Sequence, residues 1–447
     1  MDLLLKGGIL HDPVNGWEGP AEILVKGNRI EAVSISLGPV EVPILELKGK
    51  IILPGLVDAH VHLREPGGES KETIASGCAA AVAGGFTAVA CMPNTDPPVD
   101  SREIVSYIKE KARLAGLARV YPLGALTCGQ KGEEIAPLWE LAEEGVRGFS
   151  DDGRPVMNSA LMLRAMQFAL VLGLPVISHC ENLALSGGGV VHAGAAGYRL
   201  GLPGMPGVAE AVIVAREILL QQQVGGKLHL AHISAKESVD LLRWAKEKGV
   251  NLTSEVTPHH LLLTEEAVEG FNTNAKVNPP LRAAADREAL LEALQEGLIE
   301  IIATDHAPHN PREKEADFLN APFGVIGLET AFPLLWTKIV EQGILSLAEL
   351  IKCLSIAPAN LLGVPGGNLA PGMPADLVVI DPQKEGLVHP DKFYSRGRNT
   401  PFKGWRLKGF PVLTMVDGDI KMCDGKVKGF SRDFPAALEN FLNKAKD

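Results

Sequence analysis

The residues with the clearest chemical potential in this 447-residue chain are histidines and aspartates placed directly after short apolar runs. His60 and His62 follow Ile51–Val57, and Asp58 precedes them. Residues i and i+2 of a strand face the same side, so both imidazoles can reach one ion. A lone His-x-His is a weak pattern, but the buried-strand run before this pair ties it to a strand end and points to a metal. Asn94 follows Phe86–Cys91, and Asp151 and Asp152 follow Val146–Phe149. His179 follows Pro175–Ser178, His232 follows Leu228–Ala231, and Asp305, His306 and His309 follow Ile299–Ala303. Singly, His179 and His232 read as core histidines; their matching placement at successive strand ends makes them candidate ligands. Imidazole and carboxylate donors suit zinc. The donors exceed what one open tetrahedral site uses and fit two ions sharing a bridging carboxylate, a pair able to polarise a carbonyl and generate a nucleophile. Asp151 and Asp152 compete for the bridge, because neighbouring strand residues point oppositely and spacing leaves the register open. Asp305 is the candidate acid/base, since a carboxylate at the metal edge can also carry a proton to a leaving nitrogen. Arg64, Asn94 and Asn278 offer a fork for a carboxylate and amide groups for a polar ring.

These residues need a scaffold that collects strand ends. Eight short apolar strands alternate with helical stretches such as 72–83, 160–172, 208–223 and 236–248. This pattern predicts an α/β fold, a TIM-like (β/α)8 barrel over residues 53–365 with its active site at the C-terminal strand ends. Residues 1–52 and 366–447 are strand-rich and separated by turns, and are expected to join in a small composite β-sandwich domain. The segment 310–320, polar and flanked by Pro311 and Pro322, is expected to be a loop that helps cover the site.

Composition narrows the function. With 46% hydrophobic and 22% charged residues the chain is globular. A net charge of -11 without a basic cluster argues against nucleic acid. No apolar run has the length of a membrane span, the start lacks a signal-peptide layout, and six scattered cysteines without a CxxC pair suit a reduced, cytoplasmic protein.

The segments Asp58–Ala59–His60–Val61–His62–Leu63–Arg64–Glu65–Pro66–Gly67 and Ala303–Thr304–Asp305–His306–Ala307–Pro308–His309, with Lys314 beyond, closely resemble the two dihydroorotase signatures. Met92–Pro93–Asn94–Thr95 and Phe149–Ser150–Asp151–Asp152–Gly153 are also similar to that family, in its type I bacterial form within the amidohydrolase superfamily. The resemblance implies two Zn2+ per chain: His60, His62 and Asp305 on one, His179 and His232 on the other, and Asp152 bridging. It implies that Arg64, Asn94 and His309 take the substrate carboxylate, while Asn278 and the backbone at Phe323–Gly324 contact the ring. Asp152 stands where many amidohydrolases carry a carboxylated lysine. The implied reaction is the reversible cyclisation of N-carbamoyl-L-aspartate to L-dihydroorotate in pyrimidine biosynthesis. A homodimer is the expected assembly, and association with aspartate transcarbamoylase is compatible with the resemblance. Two other readings use the same residues: another cyclic-amide hydrolase, such as an allantoinase or hydantoinase, or an inactive structural partner of aspartate transcarbamoylase.

Overall fold

The computed structural model describes residues 2–443. Strands from both ends of the chain share one nine-stranded sheet. Its order runs Lys426–Val427, Asp419–Cys423, Phe410–Val416, Leu377–Asp381, Ile51–Pro54, Leu3–Asp12, Trp17–Lys26 and Arg29–Ser34, with Ile44–Glu46 alongside Leu3–Asp12. Ile51–Pro54 is the junction: Ile52 pairs antiparallel with Val379, while Ile51 pairs parallel with Ile9. The strands expected to form a sandwich here are joined in one hydrogen-bonded sheet through this central strand, which has a partner from each chain end. Leu3, Leu5, Ile23, Val25, Ile52, Leu377, Val379 and Leu413 form a core on it, closed over by Phe434.

The middle of the chain is α/β. Leu56–Val61, Phe86–Cys91 and Arg119–Pro122 form one parallel sheet; Gly124–Ala125, Phe149–Ser150, Val176–Ser178, Leu228–Leu230, Leu252–Val256 and Ile301–Ile302 form a second. Only Leu123 separates the two along the chain, and its N–H donates to Cys91 O at 3.0 Å. At the other seam, Val61 makes a parallel bridge to His306 and the His62 N–H donates to His306 O at 2.8 Å. Every residue of Phe86–Cys91 is buried, as parallel strands covered on both faces require. Helices Ile74–Ala83, Arg102–Ala115, Ser159–Leu172, Gly207–Val224, Lys236–Glu247 and Ala284–Gln295 pack outside. Their starts have local causes: Thr73 and Asn158 accept backbone N–H groups at two of them, satisfying donors that the helix leaves free. Among the described residues, no helix is long and apolar enough to cross a membrane.

The first parallel strand departs from expectation. The run 51–62 reads as continuous, but the backbone leaves the mixed sheet after Pro54 and enters the parallel set at Leu56. The strand Ile51–Pro54 therefore straddles the boundary expected after residue 52. The change of sheet depends on Gly55, where a Cβ would lie 2.2 Å from Thr87 Oγ1. Gly55→Ala is expected to cost about 1–3 kcal/mol by overpacking, read as a lower urea midpoint with an unchanged m-value.

Candidate metal centre and cavity

Four imidazoles and two carboxylates converge where the parallel strands end. Asp152 lies at the middle. Its Oδ1 is 3.6 Å from His60 Nε2, 3.5 Å from His179 Nδ1 and 3.5 Å from His232 Nε2. Its Oδ2 is 3.6 Å from His62 Nε2. Asp305 Oδ1 lies 3.0 Å from His62 Nε2 and 3.6 Å from His60 Nε2. All six residues are buried. Burial alone would raise both carboxyls. The nearby imidazoles, His60 first, outweigh it at Asp152, and the His62 hydrogen bond does so at Asp305, so both are held below the usual carboxylate range.

The neighbouring acid has another task. Asp151 turns away and accepts Leu126 N–H at 2.8 Å, Thr127 N–H at 3.2 Å and the Thr127 hydroxyl. The choice that strand spacing left open is thus made by register: one acid of the pair ties neighbouring strand ends together, and the other faces the histidines.

The donor set fits divalent metal. Two groups have ligand atoms within 4.8 Å of one another, His60–Asp152–His232 and His60–His62–Asp305. His179 joins the first through its Nδ1, 2.9 Å from His232 Nε2. The proton placement follows from the partners. His60 Nδ1–H donates to Glu255 Oε1 at 2.6 Å, His62 Nδ1–H to Asn94 Oδ1 at 2.8 Å, and His179 Nε2–H to Glu181 Oε2 at 3.0 Å. With a cation in place of the second proton, each ring would turn a lone pair toward the centre: Nε2 of His60 and His62, and Nδ1 of His179. His60 Nε2 and Asp152 Oδ1 are buried without a hydrogen-bond partner, a costly state that a bound cation relieves.

A cavity of about 330 Å³ opens beside this cluster. The residues that the family resemblance gives a ligand or substrate-contact role line it except His60, which lies behind the others. The Arg64 guanidinium is braced by Nε donating to Pro308 O at 3.3 Å, and its Nη2 lies 3.4 Å from His309 Nε2. His309 Nε2–H donates to Phe323 O at 2.7 Å. Burial and the nearby Arg64 charge lower its pKa to about 2, so the ring is neutral. Asn94 uses its oxygen on His62, and Asn278 donates to Glu181 Oε2 at 2.9 Å. Gly324, at φ +132, has no room for a side chain: a Cβ would be 2.8 Å from Ala307 O and 3.1 Å from His309 Nε2. Arg64, His232 and Asp305 hold positive φ of 61°, 34° and 46°, a strain of about 1–3 kcal/mol each that concentrates at this rim.

Other residues fall elsewhere. His306 points away from the cavity, with Nε2 3.3 Å from Glu72 Oε2 and Nδ1 accepting Gly327 N–H. The segment expected to be a covering loop begins with the short helix Pro311–Lys314 and folds onto two lysines. Lys276 Nζ donates to Phe318 O, Leu319 O and Ala321 O, and Lys314 Nζ to Pro322 O and Gly324 O. These bonds set the Pro322–Gly324 backbone at the cavity wall. Glu255 and Glu181 escaped the sequence reading. Glu255 had a signal, a charge in the buried strand Leu252–Val256, and Glu181 stands two residues after His179.

Residues 49–238 match the family model described as dihydro-orotase-like. The chain is 49% identical to the dihydroorotase of Pelotomaculum thermopropionicum, over 96% of this chain and all of that protein. It is 47% identical to the dihydroorotase of Syntrophus aciditrophicus, over 94% of this chain and 99% of that one. Among solved structures, the L-hydantoinase of Arthrobacter aurescens superposes with a TM-score of 0.85 at 28% identity, covering 96% of this chain and 99% of that one. On the strength of identities near one half over almost the whole length, this chain belongs to the dihydroorotase family.

Proposed function

We propose that this chain is a zinc-dependent dihydroorotase, which closes N-carbamoyl-L-aspartate to L-dihydroorotate and reopens it, in pyrimidine biosynthesis. The observation that carries the reading is Arg64, a half-buried guanidinium lining the same 330 Å³ cavity as the paired His/Asp groups. A cyclic amide bearing a carboxylate is the substrate class that uses both sides at once. Hydantoinase-like rings lack that carboxylate and leave Arg64 without a charge partner. The two sheets linked through Leu123 and the Val61–His306 bridge support a closed (β/α)8 barrel over residues 53–365. The strands of both chain ends support one composite β domain, 1–52 with 366–447. The family resemblance extends the reading to a cytoplasmic homodimer.

In this reading His60, His62 and Asp305 would hold one zinc, His179 and His232 the other, and Asp152 would be shared by both. Two zinc ions would supply Lewis-acid polarisation of the amide carbonyl and a nucleophile at neutral pH. The remaining work belongs to side chains. Arg64 receives the ring carboxylate, the Nε2–H of neutral His309 would turn to it from Phe323 O, and the Asn94 amide lies beside them. Asn278 and the Phe323–Gly324 backbone orient the ring edge. Asp305 takes a proton from the attacking water and delivers it to the departing ring nitrogen; ring closure runs the same transfer backwards.

The test is ring closure of N-carbamoyl-L-aspartate by the purified protein, before chelation, after it and after zinc is restored. Activity that falls to background and returns with zinc is the expected result. A folded, zinc-loaded protein that converts neither N-carbamoyl-L-aspartate nor dihydroorotate would overturn the reading.

A further inference from the structure

The strand Leu252–Val256 carries one acid in its buried stretch, Glu255, and this carboxylate contributes nothing to the cavity wall. It is fully buried, as is the imidazole of His229 beside it. An isolated carboxylate is costly there, so its partners must repay the burial. Three do. Oε1 accepts His60 Nδ1–H at 2.6 Å and the backbone N–H of His232 at 3.3 Å. Oε2 accepts His229 Nε2–H at 3.0 Å. His229 Nδ1 in turn lies 2.8 Å from Thr253 Oγ1, which completes the chain Thr253–His229–Glu255–His60. Three N–H groups converge on its two oxygens, so Glu255 stands as an acceptor throughout, the role of a carboxylate.

Resting on the zinc reading above, we infer that Glu255 is a positioning residue for both halves of the metal centre, with His229 as its anchor. One oxygen reaches both sides of the site. On His60, Glu255 accepts the Nδ1–H and so reserves for a cation Nε2, the atom that is buried without a partner. His60 belongs to both candidate metal groups, so its ring angle affects each. On His232, the same oxygen holds the backbone N–H of a residue with φ 34°, a conformation that a non-glycine residue keeps only under restraint. His229 turns the other oxygen, which prevents the carboxylate from rotating off His60. A negative partner also makes the His60 imidazole a better donor to a cation.

Glu255→Gln tests this with little change of shape. The amide lacks the charge. If its oxygen faces His60, the ring keeps its proton placement without the electrostatic support. If its nitrogen faces His60, the proton must move to Nε2 and block the ligand atom. The metal-free variant is compared with the metal-free wild-type chain for zinc affinity, by competition with a chromophoric chelator, and for thermal unfolding. The expected result is zinc affinity lowered about 10- to 100-fold, with the variant still unfolding cooperatively. Wild-type affinity in Glu255→Gln would overturn the inference. Should that variant not fold, Glu255→Asp keeps the charge and withdraws it from Nδ1. It too is expected to bind zinc more weakly, and unchanged affinity in it would be equally fatal. A wild-type chain that binds no zinc overturns the metal reading itself, whereas zinc on the wild-type chain with an indifferent variant removes only the role of Glu255.

Discussion

Replacing Asp305 by Asn is expected to lower turnover by about 10²- to 10⁴-fold, the range for losing a positioned acid/base group. Three features make the exchange clean. Asn matches Asp in size, so the buried volume is kept. Asn tolerates the left-handed backbone, and residue 305 sits at φ 46°, where Ala would add strain. Its side-chain oxygen can still lie near His62 Nε2, now 3.0 Å from the carboxylate, so His60 and His62 retain much of the metal. What disappears is the charged oxygen that accepts a proton. The expected signature is near-normal zinc content with kcat reduced and KM for N-carbamoyl-L-aspartate close to wild type. Wild-type turnover in this variant would remove Asp305 from proton transfer and leave it a ligand only.

The second large effect separates two adjacent acids. Asp152→Asn is expected to lower zinc content and to reduce activity by more than the ~10²-fold typical of losing an outer-sphere partner. The reason is geometric: the Asp152 carboxylate faces all four histidines, one oxygen toward three of them and the other toward His62. Asp151→Asn should do the reverse. Its carboxylate holds Leu126 and Thr127, so the cost falls on folding, about 1–3 kcal/mol for poorly satisfied buried donors, with zinc retained. Zinc stoichiometry and urea unfolding on the two proteins decide the matter. Zinc loss in Asp151→Asn with full loading in Asp152→Asn would exchange their roles and contradict the register.

Much of this was readable from one dimension. The parallel strands were recognisable because fully buried strands are continuous apolar runs, and Phe86–Cys91 is one. The His60–His62 pair was recognisable because an i, i+2 spacing in a strand already shares a face. The strand-rich ends also announced themselves, although nothing local says how they join. That rests on Ile51–Pro54 finding a partner from each end of the chain.

By itself, the sequence determined the kinds of donor available, their places at strand ends and the α/β alternation that gathers them, since these depend on residue type and short periodicities. Spacing left Asp151 and Asp152 open and the resemblance implied Asp152; the tertiary structure turns Asp152 toward the histidines, because a shift of one residue in register reverses which side chain faces the centre. Only it chose which nitrogen of each histidine is free, because that follows from the partner on the other nitrogen. Asn94 does this for His62 and Glu181 for His179, and for His60 the partner is Glu255, 195 residues along the chain. No local pattern encodes contacts at such separations; they exist once strands distant in sequence lie side by side and a buried charge must find its complement.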